Sequence, residues 1–194
     1  MPLFSYLLAG LFYFSKEDIL FTRILLATIN SSLILIIFAI AKKLFNKNVA
    51  LLSALIISFY PIIVFSSGLL VPEIFFTILM CFGIYFFLRI EENIKNIWLA
   101  SLFFGFASLT ISLTMLFIFF SVFILFYVLR RIVIKKRLYY IIIYSTIFAC
   151  ILGSWGFRNY LVTGHFSFLK TNVGEVLYLH NNQNASGFDR RGNS

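Results

Sequence analysis

The distribution of charge along this chain most constrains what it can become. Long apolar runs, at about Ile19 to Ala41, Val49 to Phe65, Glu73 to Leu88, Ile97 to Ser112, Leu113 to Leu129 and Leu138 to Gly156, alternate with short gaps that hold most of the Lys and Arg. A helix needs about 20 apolar residues to cross the hydrocarbon core of a bilayer, and these runs approach or reach that length. Soluble domains are about 45–50% apolar and about 25% charged; here the fractions are 61% and 12%, so water would meet too much apolar surface and the bilayer must be the solvent. The first run, PLFSYLLAGLFYF, is too short to span and is expected to lie at the interface or re-enter. With no basic stretch before it and no small-residue cleavage site after it, it does not fit a secretory signal. The expectation is an all-α, polytopic transmembrane bundle of about six spans, with a short interfacial N-terminal helix and an extracytoplasmic polar tail. Residues 1–156 would form the membrane domain and residues 157–194 the tail.

Basic residues set the orientation. Lys42, Lys43 and Lys47 crowd one gap and Arg130, Arg131, Lys135, Lys136 and Arg137 another, while the gap RIEENIKN between them is mixed; gaps rich in Lys and Arg stay cytoplasmic. SKED, the FSSGLLVPE bend, the polar break LTISLT and everything after Trp155 then face outward. Six crossings would leave both ends outside, which suggests a missing upstream span. The net charge of +9 is accounted for by these gaps, and without a stripe of alternating basic and aromatic residues nucleic acid is not an expected partner. Cys81 and Cys150 lie inside apolar runs, so a disulfide framework is not expected.

Several residues are out of place in so apolar a chain. Glu73 follows Pro72 at the start of a span. A carboxylate at membrane depth usually faces a water-filled cavity or a partner, yet proline and Glu in a first turn are also ordinary helix-start residues. Arg23 lies just inside its span, from where it can snorkel to the interface. The hydroxyls of LTISLT can bond back to their own helix. Finally, SWGFRNYLVTGHFSFLK leaves the membrane through Trp155, an interfacial residue type, directly into Arg158 and Asn159. A guanidinium is a planar fork suited to phosphate, and it is equally an interface anchor.

The ordered set of segments settles on one resemblance. RILLATINSSLILIIFAIAKKLFNKNVALLSALIISFYPIIVFSSGLLVPEIFFTILM, then WLASLFFGFASLT, then SWGFRNYLVTGHFSFLKTNVGEVLYLHNN resembles the bacterial membrane glycosyltransferases related to protein O-mannosyltransferases and aminoarabinose transferases, the GT-C class. The R-L-x-x-A-L span start, the K/R-K/R-L-F loop, the F-Y-P bend, the Glu opening the next span and the W-x-x-R-N-Y exit all have counterparts. The resemblance implies transfer of a sugar from a polyprenyl-phosphate carrier to a lipid, polysaccharide or protein acceptor at the outer face of the bacterial inner membrane. It implies an auxiliary catalytic role for Glu73 and substrate binding by Arg158, Asn159, Arg23 and Tyr60. The family's main acid is expected in an outer loop upstream of the first run, so the resemblance implies a chain lacking the family's N- and C-terminal parts. It names no metal ligands and leaves a divalent cation as the one cofactor in question. Where the family has L-T-R-P this chain has Leu109, Thr110, Ile111 and Ser112; where it has N-G-G-x-N-L this chain has Asn172, Val173, Gly174, Glu175, Val176 and Leu177, with His180 before Asn181 and Asn182. Two other classes fit the composition: a transporter or channel with Glu73 and Arg23 on a solute path, and a non-catalytic membrane scaffold.

Overall fold

The computed structural model describes residues 2–111 and 116–166, and the regular structure in those segments is entirely helical. Within them eight α-helices follow in order: α1 Pro2–Ser15, α2 Ile19–Leu44, α3 Lys47–Ser58, α4 Pro61–Ser67, α5 Pro72–Leu88, α6 Asn96–Thr110, α7 Phe117–Val128 and α8 Ile134–Thr163. The chain divides into two compact units, Met1–Gly153 and Ser154–Ser194.

Local chemistry marks the ends. The chain reverses after α1 through Lys16 and Glu17, at φ of 53° and 67°, a left-handed pair that costs non-glycine residues energy. Asp18 then caps α2, its carboxylate accepting from the amides of Leu20 at 2.8 Å and Phe21 at 3.1 Å. The Ser15 and Thr22 hydroxyls meet at 2.7 Å across the reversal. Lys42 and Lys43 occupy the last turn of α2, where positive charge complements the exposed carbonyls. Asn46 caps α3 through the amide of Val49 at 2.9 Å. α3 and α4 bend by 58° at their break, because Pro61 has no N–H to continue the α3 ladder and instead suits the first position of a new helix. Pro72 opens α5 in the same way.

α5 lies between α2 and α6, while α1 packs on both α2 and α6. Leu33 and Ile36 of α2 bury against Ile74 and Ile78 of α5, and Lys43 pairs with Glu92 beyond the far end of α5, so these helices run parallel. A larger core joins Ile97, Ala100 and Phe104 of α6 to Leu125 of α7 and to Tyr144, Phe148 and Leu152 of α8. Close approach needs glycine twice. A Cβ on Gly83 would stand 2.5 Å from the Phe104 ring, and one on Gly105 would stand 2.7 Å from Ile151. A buried polar staple links three helices: the Ser101 hydroxyl donates to the Tyr144 carbonyl at 2.6 Å, and the Tyr144 hydroxyl donates to Ser121 at 2.7 Å.

Among the described residues α2 and α8 are individually long and apolar enough to cross a membrane, and the bent α3–α4 pair makes a third candidate. α1, α5 and α6 are shorter apolar helices. The outward face is rich in Phe, Leu and Ile: Phe119, Phe120 and Phe123 of α7 are each more than 70% exposed, as lipid-facing side chains are. This is a membrane protein. The polar break LTISLT falls where α6 ends at Thr110, with its Ser112 to Thr114 outside the described residues. α8 does not stop at Gly156 but continues to Thr163, two turns beyond the expected end of the last span.

Candidate functional site

The W-x-x-R-N exit is built on α8. Trp155, Arg158 and Asn159 stand three and four residues apart and therefore share one helix face. The Arg158 guanidinium carbon lies 4.9 Å from the centre of the Trp155 ring, and an N–H of the same group donates to Asn159 Oδ1 at 3.3 Å. Asn159 is 5% exposed while Arg158 is exposed, so the ring and the buried amide hold the cation at its root. Among the described residues no other acceptor engages its five-donor fork. Thr163 donates to the Asn159 carbonyl at 2.8 Å, which secures the last turn of the helix.

Glu73 lies in the first turn of α5, directly after Pro72. The Thr77 hydroxyl donates to its backbone carbonyl at 2.8 Å, and its carboxylate is exposed, with no hydrogen bond or ion pair among the described residues. Its neighbour Ile74 shares a buried cluster with Leu33 and Ile36 of α2, which sets Glu73 alongside the middle of α2. Arg23 is about ten residues earlier on α2, roughly 15 Å along the axis. The structure therefore does not bring Arg23 to Glu73, and Arg23 is exposed near the start of its helix. Tyr60 forms the corner between α3 and α4: its carbonyl accepts from Val64 at 3.0 Å, and its side chain is 46% exposed and makes no cap hydrogen bond.

Sequence reasoning missed Asn30. It lies near the middle of α2, is 4% exposed, and donates through Nδ2 to the Ser67 carbonyl of α4 at 3.5 Å. Its Oδ1 is buried without a partner among the described residues, at a depth where an unsatisfied acceptor costs several kcal/mol. An amide inside an otherwise apolar span was the available signal. Also unforeseen is a charged latch at the opposite end of α5. Glu92 pairs with Lys43, and it accepts from Arg89 Nε at 2.6 Å. Arg89 also donates to the Tyr85 hydroxyl at 2.5 Å, and Asn96 Nδ2 donates to the Arg89 carbonyl at 2.7 Å. The Lys43 ammonium, and then the Arg89 guanidinium, hold the Glu92 carboxyl below its ordinary range.

Among the described residues, no group of three or more His, Cys, Asp or Glu is placed to hold a metal ion. Asn172, His180, Asn181 and Asn182 lie outside the described residues.

A membrane chain whose regular structure is helical throughout the described residues, with a carboxylate opening one helix and a Trp-Arg-Asn face at the exit of another, fits the class of membrane glycosyltransferases of GT-C type. The chain belongs to the dolichyl-phosphate-mannose-protein mannosyltransferase family, whose model matches residues 1–155. The match takes in Arg23, Tyr60 and Glu73 and ends at Trp155, just before Arg158 and Asn159. No curated protein and no solved structure gives a significant match.

Proposed function

We propose that the protein takes part in transferring a sugar from a polyprenyl-phosphate carrier to a lipid, polysaccharide or protein acceptor, at the outer face of the bacterial inner membrane, through a multi-pass chain of about six crossings. The observation that carries this reading is the Arg158 fork, fixed by Trp155 and the buried Asn159 amide at the polar end of a long apolar helix. In the reaction a carboxylate takes the proton of the acceptor hydroxyl, whose oxygen bonds to the anomeric carbon of the sugar. The bond from that carbon to the carrier phosphate breaks, and the phosphate leaves with the electron pair. Arg158 offsets the charge that gathers on the departing phosphate. Glu73 serves as an auxiliary group that orients the acceptor or holds a cation, with the main acid supplied from an outer loop of the family pattern. Arg23, further out along α2, and Tyr60, at the α3–α4 corner, would contact substrate.

Affinity for polyprenyl phosphate in nanodiscs tests this. A hydrogen bond to a charged group is worth about 1.5–3 kcal/mol, so Arg158→Ala should weaken binding by about ten- to a hundredfold, at 1.4 kcal/mol per decade. Arg158→Lys should recover only part, since an ammonium keeps the charge but not the fork. Equal affinity in all three proteins would make Arg158 an interface anchor and sink the proposal.

A further inference from the structure

A cavity of about 450 Å³ opens between α5, α6 and α7, lined by Ile84, Phe87, Leu88, Phe104, Phe117, Ser121, Ile124 and Val128, with Glu91 at one end. Its volume is that of a small-molecule site, but its walls exclude a sugar. The only hydroxyl among them, Ser121, is already engaged, accepting from Tyr144 and donating to the Ile118 carbonyl at 2.9 Å. Apart from the Glu91 carboxylate, no polar side chain among the described lining residues is left over, so neither water nor a saccharide would find the set of partners it needs. The shape suits hydrocarbon. From Phe117 to Val128 the lining follows α7 for about eleven residues, or ~16 Å, so the cavity runs along the helix axis. Ile84 and Ile124, on opposite sides, are 36% and 40% exposed and place its opening toward the surrounding lipid.

What lies past Val128 identifies the occupant. The next residues form the turn Leu129–Arg131, followed by the start of α8. Two cations there have structural duties. Arg137 donates to the carbonyls of Leu129 at 3.0 Å, Arg130 at 2.6 Å and Ile132 at 3.3 Å, and Arg130 covers the Tyr127 ring at 4.6 Å while donating to its hydroxyl at 2.9 Å. Arg131, Lys135 and Lys136 are exposed and have no partner among the described residues. Three available cations outweigh the single Glu91 carboxylate.

We infer that this cleft binds an anionic phospholipid, with one acyl chain in the α5–α7 cavity and its phosphate held by Arg131, Lys135 and Lys136. The site shares no residue with the Trp155, Arg158 and Asn159 face and does not depend on the transferase reading. It makes the basic α7–α8 connection a lipid-recognition element as well as an orientation signal.

Native mass spectrometry of the full chain, released from nanodiscs of equimolar oleoyl phosphatidylglycerol and oleoyl phosphatidylcholine, is the test. The wild type should retain one phosphatidylglycerol in preference to phosphatidylcholine. Combining Arg131→Gln, Lys135→Gln and Lys136→Gln should reduce that preference by up to about a hundredfold, since each basic residue near an anionic surface contributes on a scale of one decade or slightly less. Glu91→Gln should raise it. Ile124→Trp and Ile84→Trp, which fill the cavity from exposed positions on opposite walls, should each displace both lipids. No preference in the wild type, retention of lipid in both tryptophan variants, or an equal loss in a Lys42→Gln, Lys47→Gln control would each overturn the inference; the last would show only general attraction to the membrane surface.

Discussion

Gly83→Ala should destabilise this protein although it adds only a methyl group to a helix. At an open helical position the same change is favourable by about 1 kcal/mol, because alanine gives up less backbone freedom than glycine. Gly153 of α8 is such a position, where an added Cβ would meet nothing within 4 Å. At Gly83 the new Cβ would lie 2.5 Å, 2.6 Å and 3.0 Å from three atoms of the Phe104 ring. That ring has little room within the α5–α6 contact: Phe104 is 2% exposed and is flanked by Phe87 at 6.3 Å and Phe117 at 5.0 Å between ring centres, so only a shift toward the α5–α7 cavity it lines would relieve the clash. Overpacking of this kind costs about 1–3 kcal/mol, so the net effect should lie between neutral and about 2 kcal/mol destabilising. The gap between the Gly83→Ala and Gly153→Ala variants isolates the steric part. Unfolding titrations in mixed detergent micelles would measure it. Adding Phe104→Leu should relieve the clash, giving a coupling of about 1–2 kcal/mol in the double-mutant cycle. A Gly83→Ala protein that gains stability as Gly153→Ala does, or a cycle with no coupling, would refute the proposed contact between α5 and α6.

Tyr144→Phe should cost about 0.6 kcal/mol in the same titration, the typical worth of a hydrogen bond between membrane helices, because Ser121 keeps its bond to Ile118. The folded-state Glu92 carboxyl titrates below its ordinary value, so its contribution to stability is present at neutral pH and fades as the pH falls through that lowered value. Melting temperatures between about pH 5 and about pH 3 should therefore decline less steeply in Glu92→Gln, which should start lower at pH 7. With Cys81 and Cys150 replaced, cysteine at Lys170 should react with an impermeant thiol reagent in intact cells and cysteine at Val133 should not; the reverse pattern would overturn the orientation drawn from the basic gaps.

Helical class and several helix ends were legible because their causes are local. Pro72 acts within a turn of its own position, and α2 begins at Ile19 as the apolar pattern suggests. Val49 to Phe65 looked like one span because its residues are almost uniformly apolar. The bend comes from the missing N–H of Pro61, a signal present in the FYP triplet but outweighed by hydropathy. α8 outran its expected end because Arg158, Asn159 and Tyr160 are polar without being helix breakers. The Asn30 contact with Ser67, the Phe104 clamp and the lining of the α5–α7 cavity were not legible. Each depends on which helix faces come together, and a uniformly apolar helix carries little periodicity from which to choose a face. Trp155, Arg158 and Asn159 could be placed on one face from their spacing, but the burial of Asn159 could not.

The parallel run of α2 and α5 has a consequence for how the chain is made. Asn30 must wait for Ser67, which follows it by 37 residues. At synthesis rates of about 5–20 residues per second, α2 therefore spends roughly 2–7 seconds before the α4 carbonyl that meets Asn30 is made, and longer before α5 can cover its apolar face. Lipid tolerates Leu33 and Ile36 on that face at little cost, but it offers nothing to the Asn30 amide. During that interval the amide penalises every arrangement except the one in which α4 returns beside α2, giving the nascent chain a polar reason to close the crossover before α5 docks.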